Sequence, residues 1–112
     1  NAAILTKRSM DAFRDHYVPA GHDLRDPLLS PLFGRLDGLP PALVQTADLD
    51  PIRDDGIRYA AALRDAGVPA RLTNYLKVPH GFAFMPGAAP AVGRQQRWEL
   101  ATELRSALAP TA

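Results

Sequence analysis

The 112-residue chain reads as an α/β fold with two parallel strands and flanking helices. Three observations carry that reading. Two short apolar runs have strand character, the segment between them has helical periodicity, and a strand–helix–strand order joins parallel neighbours by a right-handed crossover. Two strands make an incomplete sheet, because parallel sheets occur with both faces covered and usually with more strands.

Taken in order, residues 1–17 place Met10, Phe13 and Tyr17 at i, i+3 and i+7 behind a Thr6 or Ser9 cap, which predicts a short amphipathic helix. From Val18 to Pro41, Pro19, Pro27, Pro31, Pro40 and Pro41 with Gly21, Gly34 and Gly38 predict a loop, its LLSPLF stretch pinned to a core. Residues 1–41 thus form a helix and a Pro-rich loop, and 42–112 hold the strands and remaining helices. PALVQTAD (41–48) is a short run with Val and Thr, expected as a buried strand. A helix follows with Asp50 as its cap, Pro51 at its first position and a stripe of Ile52, Tyr59, Ala62, Leu63 and Ala66. Gly67 and Pro69 end it. ARLTNYLKV (70–78) alternates as a second strand, PHGFAFMPGAAP is a loop, and 91–108 form a last helix with Trp98, Ala101, Leu104 and Leu108 on one side.

Composition narrows the function. Thirteen cations interspersed with twelve anions leave no basic face for a phosphate backbone, so nucleic acid is not an expected partner. No cysteine is present, which removes disulfides, a thiolate nucleophile and Cys-based zinc sites. The longest apolar run is far below the roughly 20 residues a spanning helix needs. The expected location is the cytoplasm.

The chemistry concentrates where the two strands end. Loops leaving the carboxyl ends of parallel neighbours open on the same edge, about 4.8 Å apart, so Asp50 in DLDPIRDDG and His80 in PHGF are expected side by side. A carboxylate there can accept the His Nδ1 proton, fix the tautomer and stabilise the imidazolium that forms when Nε2 takes a proton. Asp50 also suits a helix cap, and its two oxygens allow both roles. Asp48 is assigned to the strand end and Asp54 and Asp55 to the helix dipole. His16 and His22 carry no paired signal and are expected exposed, while Phe82, Phe84 and Met85 are expected in core packing, with a substrate wall as the alternative. None of Ser9, Ser30 and Ser106 sits in G-x-S-x-G, and no Gly-rich segment offers oxyanion donors. Two candidate ligands do not make a metal site, so no metal is expected.

The stretch LPPALVQTADLDPIRDDGIRYAAALRDAGVPARLTNYLKVPHGF resembles the C-terminal part of α/β-hydrolase esterases of the hormone-sensitive-lipase-like family. That family carries D-P-L-R-D-E-G, then Y-A-x-x-L-x-x-A-G-V-P, then H-G-F. The similarity runs from about Ser30 to Leu108; Ile52 stands where the family has leucine and Asp55 where it has glutamate. The resemblance implies the C-terminal βαβα portion of an α/β-hydrolase fold, Asp50 as triad acid and His80 as triad base. It also implies hydrolysis of small carboxylic esters without cofactor or metal, with the serine and oxyanion segment upstream. The chain is therefore expected to be a fragment, inactive alone, with its open sheet edge covered by the remainder of the hydrolase or by a second copy. Two alternatives stand beside this: a noncatalytic interaction module derived from a hydrolase tail, and a split hydrolase whose serine comes from a separate chain.

Overall fold

The computed structural model describes residues 4–85, 87 and 89–109. Its elements are α1 (Lys7–Tyr17), a 3-10 turn (Pro31–Phe33), β1 (Ala42–Leu49), α2 (Arg53–Asp65), β2 (Ala70–Pro79), a second 3-10 turn (Phe82–Phe84) and α3 (Pro90–Ala107). The two predicted strands pair in parallel, with Ala42 opposite Ala70 and Ala47 opposite Tyr75. Helices cover both faces, as parallel pairing requires.

α1 starts with a capping box: Thr6 Oγ1 accepts from Ser9 N–H at 3.1 Å, and Ser9 Oγ accepts from Thr6 N–H at 3.0 Å. No residue of α1 is buried: of its predicted stripe Met10 is half-buried, while Phe13 and Tyr17 are exposed. At the other end of the crossover, α2 closes with a Schellman motif. Gly67, at φ 79°, donates to Arg64 O at 2.9 Å and Val68 N–H donates to Leu63 O at 2.9 Å. The motif folds Val68 back onto Leu63, and these two with Leu36 make the core on this side of the sheet.

α2 lies close over β1 because Gly56 has no side chain. A Cβ built there would stand 2.6 Å from Thr46 Cγ2. Thr46 is buried and its hydroxyl donates to Asn74 Oδ1 at 2.9 Å, so it cannot swing away freely. Gly56→Ala gains roughly 1 kcal/mol of helix propensity, but overpacking costs about 1–3 kcal/mol. We expect a net loss of about 1 kcal/mol, read as a lower urea midpoint; a raised midpoint would mean that α2 shifts without strain.

The opposite face is packed differently. Ala47, Tyr75, Val78 and Phe82 form a second core cluster, extended by Ala89 and Val92 at the start of α3. Further along α3 the contact with the sheet is polar. The Glu99 carboxylate accepts from Thr73 Oγ1 at 2.6 Å, from Gln45 Nε2 at 2.8 Å and from the Tyr75 hydroxyl, and Gln96 Nε2 donates to Gln45 Oε1 at 2.8 Å. The apolar side read from the sequence therefore points outward: Trp98 is 68% and Leu108 78% exposed. Leu104 shares that exposed side.

Candidate active site

Asp50 follows β1, and His80 follows β2, at the carboxyl edge of the sheet. His80 Nδ1 lies 2.7 Å from Asp50 Oδ2. In the tautomer with its proton on Nδ1, the ring donates to the carboxylate and leaves Nε2 free to accept. The Asp50 side chain is 10% exposed and that of His80 41%, so the carboxylate sits behind the imidazole and the imidazole faces outward. A hollow of about 450 Å³ runs along β1 at this edge, lined by Thr46, Asp50, Gly56, His80, Phe82 and Phe84 among others.

The cap expectation is corrected in detail. Helix α2 begins at Arg53, not at Pro51, and its N-cap position is Ile52, without a side-chain cap. Instead, Asp50 Oδ1 accepts from Ile52 N–H at 3.0 Å and Asp50 O accepts from Arg53 N–H at 3.1 Å. An aspartate that satisfies the amide two residues on makes a local turn, which competes with the first helical turn. One oxygen thus fixes the chain after β1 while the other meets His80.

The pairing depends on a departure from regular strand register. Between Ala47 and Leu49 the ladder shifts, so that Leu49 stands opposite Pro79. Within β2, Lys77 adopts φ 59°, a left-handed conformation that is rare for a lysine. Asp48 faces this bulge, its Oδ2 3.4 Å from Lys77 N and its Oδ1 3.4 Å from Arg53 Nη1. Gly81, next to His80, takes φ 72° and turns the chain into the 82–84 turn, where only glycine adopts such a φ without strain.

The remaining predicted residues separate cleanly. Asp54 accepts from Arg53 Nε at 2.9 Å and Asp55 faces Arg58 at 3.9 Å, both exposed, as helix-start acids should be. His16 is exposed on α1. His22 is exposed too but, unlike the expectation, has a partner, Asp26 Oδ2 at 3.0 Å from its Nε2. Of the loop aromatics, Phe82 is buried against Tyr75, with ring centroids 5.3 Å apart, whereas Phe84 is 90% exposed. Core packing holds for the first and fails for the second. Ser30 donates to Leu24 O at 2.7 Å, Ser9 belongs to the α1 cap, and Ser106 lies exposed near the end of α3. Among the described residues no group of three or more His, Cys, Asp or Glu could hold a metal ion, and no helix is long and apolar enough to cross a membrane.

Comparison with known proteins bears on the fold and the family. A family profile described as alpha/beta hydrolase fold matches residues 1–84. The chain is 41% identical over 102 residues to Carboxylesterase NlhH of Mycobacterium tuberculosis, covering 84% of this chain and 32% of that protein. It is 42% identical over 112 residues to Carboxylic ester hydrolase LipN of the same organism, covering 96% of this chain and 29% of the relative. The structure superposes on an esterase of Pyrobaculum calidifontis with a TM-score of 0.86 at 38% identity, covering 96% of this chain and 35% of the other. The chain spans about a third of the length of these relatives. By motif, fold and sequence identity alike, the chain belongs to the carboxylesterase-like α/β-hydrolase family.

Proposed function

We propose that this chain is the C-terminal part of a serine carboxylesterase, in which Asp50 and His80 are the acid and base of a Ser-His-Asp triad. In this reading residues 42–112 supply the last two strands and their helices, and the nucleophile and oxyanion donors belong to the part of the protein that precedes them. The observation that carries the reading is the 2.7 Å contact of His80 Nδ1 with Asp50 Oδ2 at the carboxyl edge of a parallel pair, with Nε2 on the outer side. Further support comes from the edge of β1 that pairs with no strand among the described residues and from the outward apolar side of α3, surfaces that suit burial against more of the same domain.

The chemistry follows from the two side chains. Nε2 takes the serine hydroxyl proton as Oγ attacks the ester carbonyl carbon, and Asp50 stabilises the resulting imidazolium without itself becoming protonated. Nε2 then returns that proton to the departing alkoxide, leaving an acyl-serine and a free alcohol. Water reverses the sequence: it gives a proton to Nε2, attacks the acyl carbon and releases the acid and the serine. Carboxylic esters are the proposed substrates, since the relatives are a carboxylesterase and a carboxylic ester hydrolase. The exposed ring of Phe84 beside the site suits an apolar wall for them.

The test is direct. The 112-residue chain alone should hydrolyse p-nitrophenyl acetate no faster than buffer, because a base and its orienter have nothing to activate. The longer reading frame that contains it should turn the ester over. Turnover by the short chain that disappears in His80→Ala would sink the reading.

A further inference from the structure

We propose that Asp48 is a positioning residue that brings His80 level with Asp50 by holding the bulge in β2. The proposal rests on the assignment of Asp50 and His80 to a triad. Along most of the pair the strands keep an offset of 28 residues, as in Ala42 opposite Ala70 and Ala47 opposite Tyr75, but Leu49 stands opposite Pro79, an offset of 30. Two extra residues of strand amount to about 6.6 Å at roughly 3.3 Å each. Without them Asp50 would stand level with Val78, and the imidazole would begin beyond reach of the carboxylate. The bulge is therefore what converts two neighbouring loops into a hydrogen-bonded pair.

The extra residues are absorbed around Lys77, the only non-glycine with positive φ among the described residues. Val78 beside it is buried and Leu76 before it is exposed, so the chain is anchored immediately after the kink. A lysine does not choose this conformation by itself. What faces it is the Asp48 carboxylate: Oδ2 accepts from Lys77 N–H at 3.4 Å, and Oδ1 accepts from Arg53 Nη1 at 3.4 Å. Arg53 also donates to Asp48 O at 3.2 Å. Asp48 thus ties the kink that sets His80 to the start of α2, on the far side of Asp50. The sequence alone assigns it only to a strand end.

The experiment uses the complete hydrolase and p-nitrophenyl acetate. Asp48→Ala is expected to lower kcat about 10- to 100-fold, since a displacement of about 1 Å at a reacting group has that scale of effect, with KM little changed. Adding Lys77→Gly should restore most of the lost kcat, because glycine adopts the left-handed conformation without help. A merely structural role would not be rescued in this way, so an unrescued loss overturns the proposal. An unchanged kcat in Asp48→Ala also overturns it, provided His80→Ala abolishes turnover in parallel. If His80→Ala keeps its activity, the triad assignment itself fails, and that outcome is separate. Should Asp48→Ala not fold, Lys77→Val places a β-branched residue at the same kink and should give the same loss confined to kcat; no loss there overturns the proposal.

Discussion

In the complete hydrolase, Asp50→Asn is expected to lower kcat about ten-thousand-fold while changing stability by only about 1 kcal/mol. The separation of the two effects follows from the two carboxylate oxygens. Oδ1 takes the Ile52 amide, and the amide oxygen of asparagine can do the same, so the turn after β1 survives. Oδ2 meets His80 Nδ1, and there asparagine would present an NH₂ group. A donor at that position favours the imidazole tautomer with its proton on Nε2, which cannot accept from a serine. His80→Ala should be at least as damaging, and the double variant hardly worse than either single one, because residues that act as one unit are not additive. The measurement is kcat with p-nitrophenyl acetate beside a urea midpoint. An Asp50→Asn enzyme with parental kcat would return Asp50 to its turn and leave His80 an exposed loop histidine.

Much of this arrangement was legible in the sequence, for identifiable reasons. Hydrophobic periodicity and the Gly67 and Pro69 punctuation place the strand–helix–strand unit, and its parallel topology forces Asp50 and His80 to one edge. Topology fixes the edge but not the level along it. The bulge at Lys77 lies between the exposed Leu76 and the buried Val78, and lysine carries no local signal for a left-handed φ. The start of α2 was misplaced by two residues because Asp50 spends its side chain on a turn, an alternative that the same Asp-Pro pair allows. Which face of α3 meets the sheet is not legible from its apolar side. Its apolar residues outnumber its polar ones on one side, yet the sheet presents Gln45, Thr73 and Tyr75 and so takes Glu99 and Gln96 instead. Gln45 in the middle of PALVQTAD is a trace of this in the sequence: a polar residue between Leu43 and Ala47 on one side of the strand needs a partner.

Glu99→Ala is expected to destabilise by about 3 kcal/mol, because it strands several polar groups at once. The Thr73 and Tyr75 hydroxyls and the Gln45 amide all donate to this carboxylate, whose side chain is only 15% exposed, and Arg71 adds its charge at 3.5 Å. The pH dependence distinguishes this network from simple packing. Burial alone would push the Glu99 carboxyl up, but the bonds from Thr73, Tyr75 and Gln45, with the Arg71 charge, outweigh it and hold the group below the usual glutamate range. A depressed carboxylate contributes stability that is complete above its unfolded value and is lost as pH falls through its folded one, so the parent should weaken on acidification more than Glu99→Ala does. The Tyr75 phenol is shifted in the other direction: burial and the adjacent Glu99 carboxylate push it above its ordinary value of 10.0. Its folded form binds the proton more tightly, so that contribution is complete below pH 10 and is lost as pH rises beyond it. Tyr75→Phe should therefore flatten the alkaline limb, and Glu99→Ala both limbs. Urea midpoints across the pH range decide the matter. Parallel curves for parent and Glu99→Ala would mean that the carboxylate is held by water rather than by its neighbours, and that α3 rests on the sheet through Val92, Phe82 and Ala89 and its remaining polar contacts.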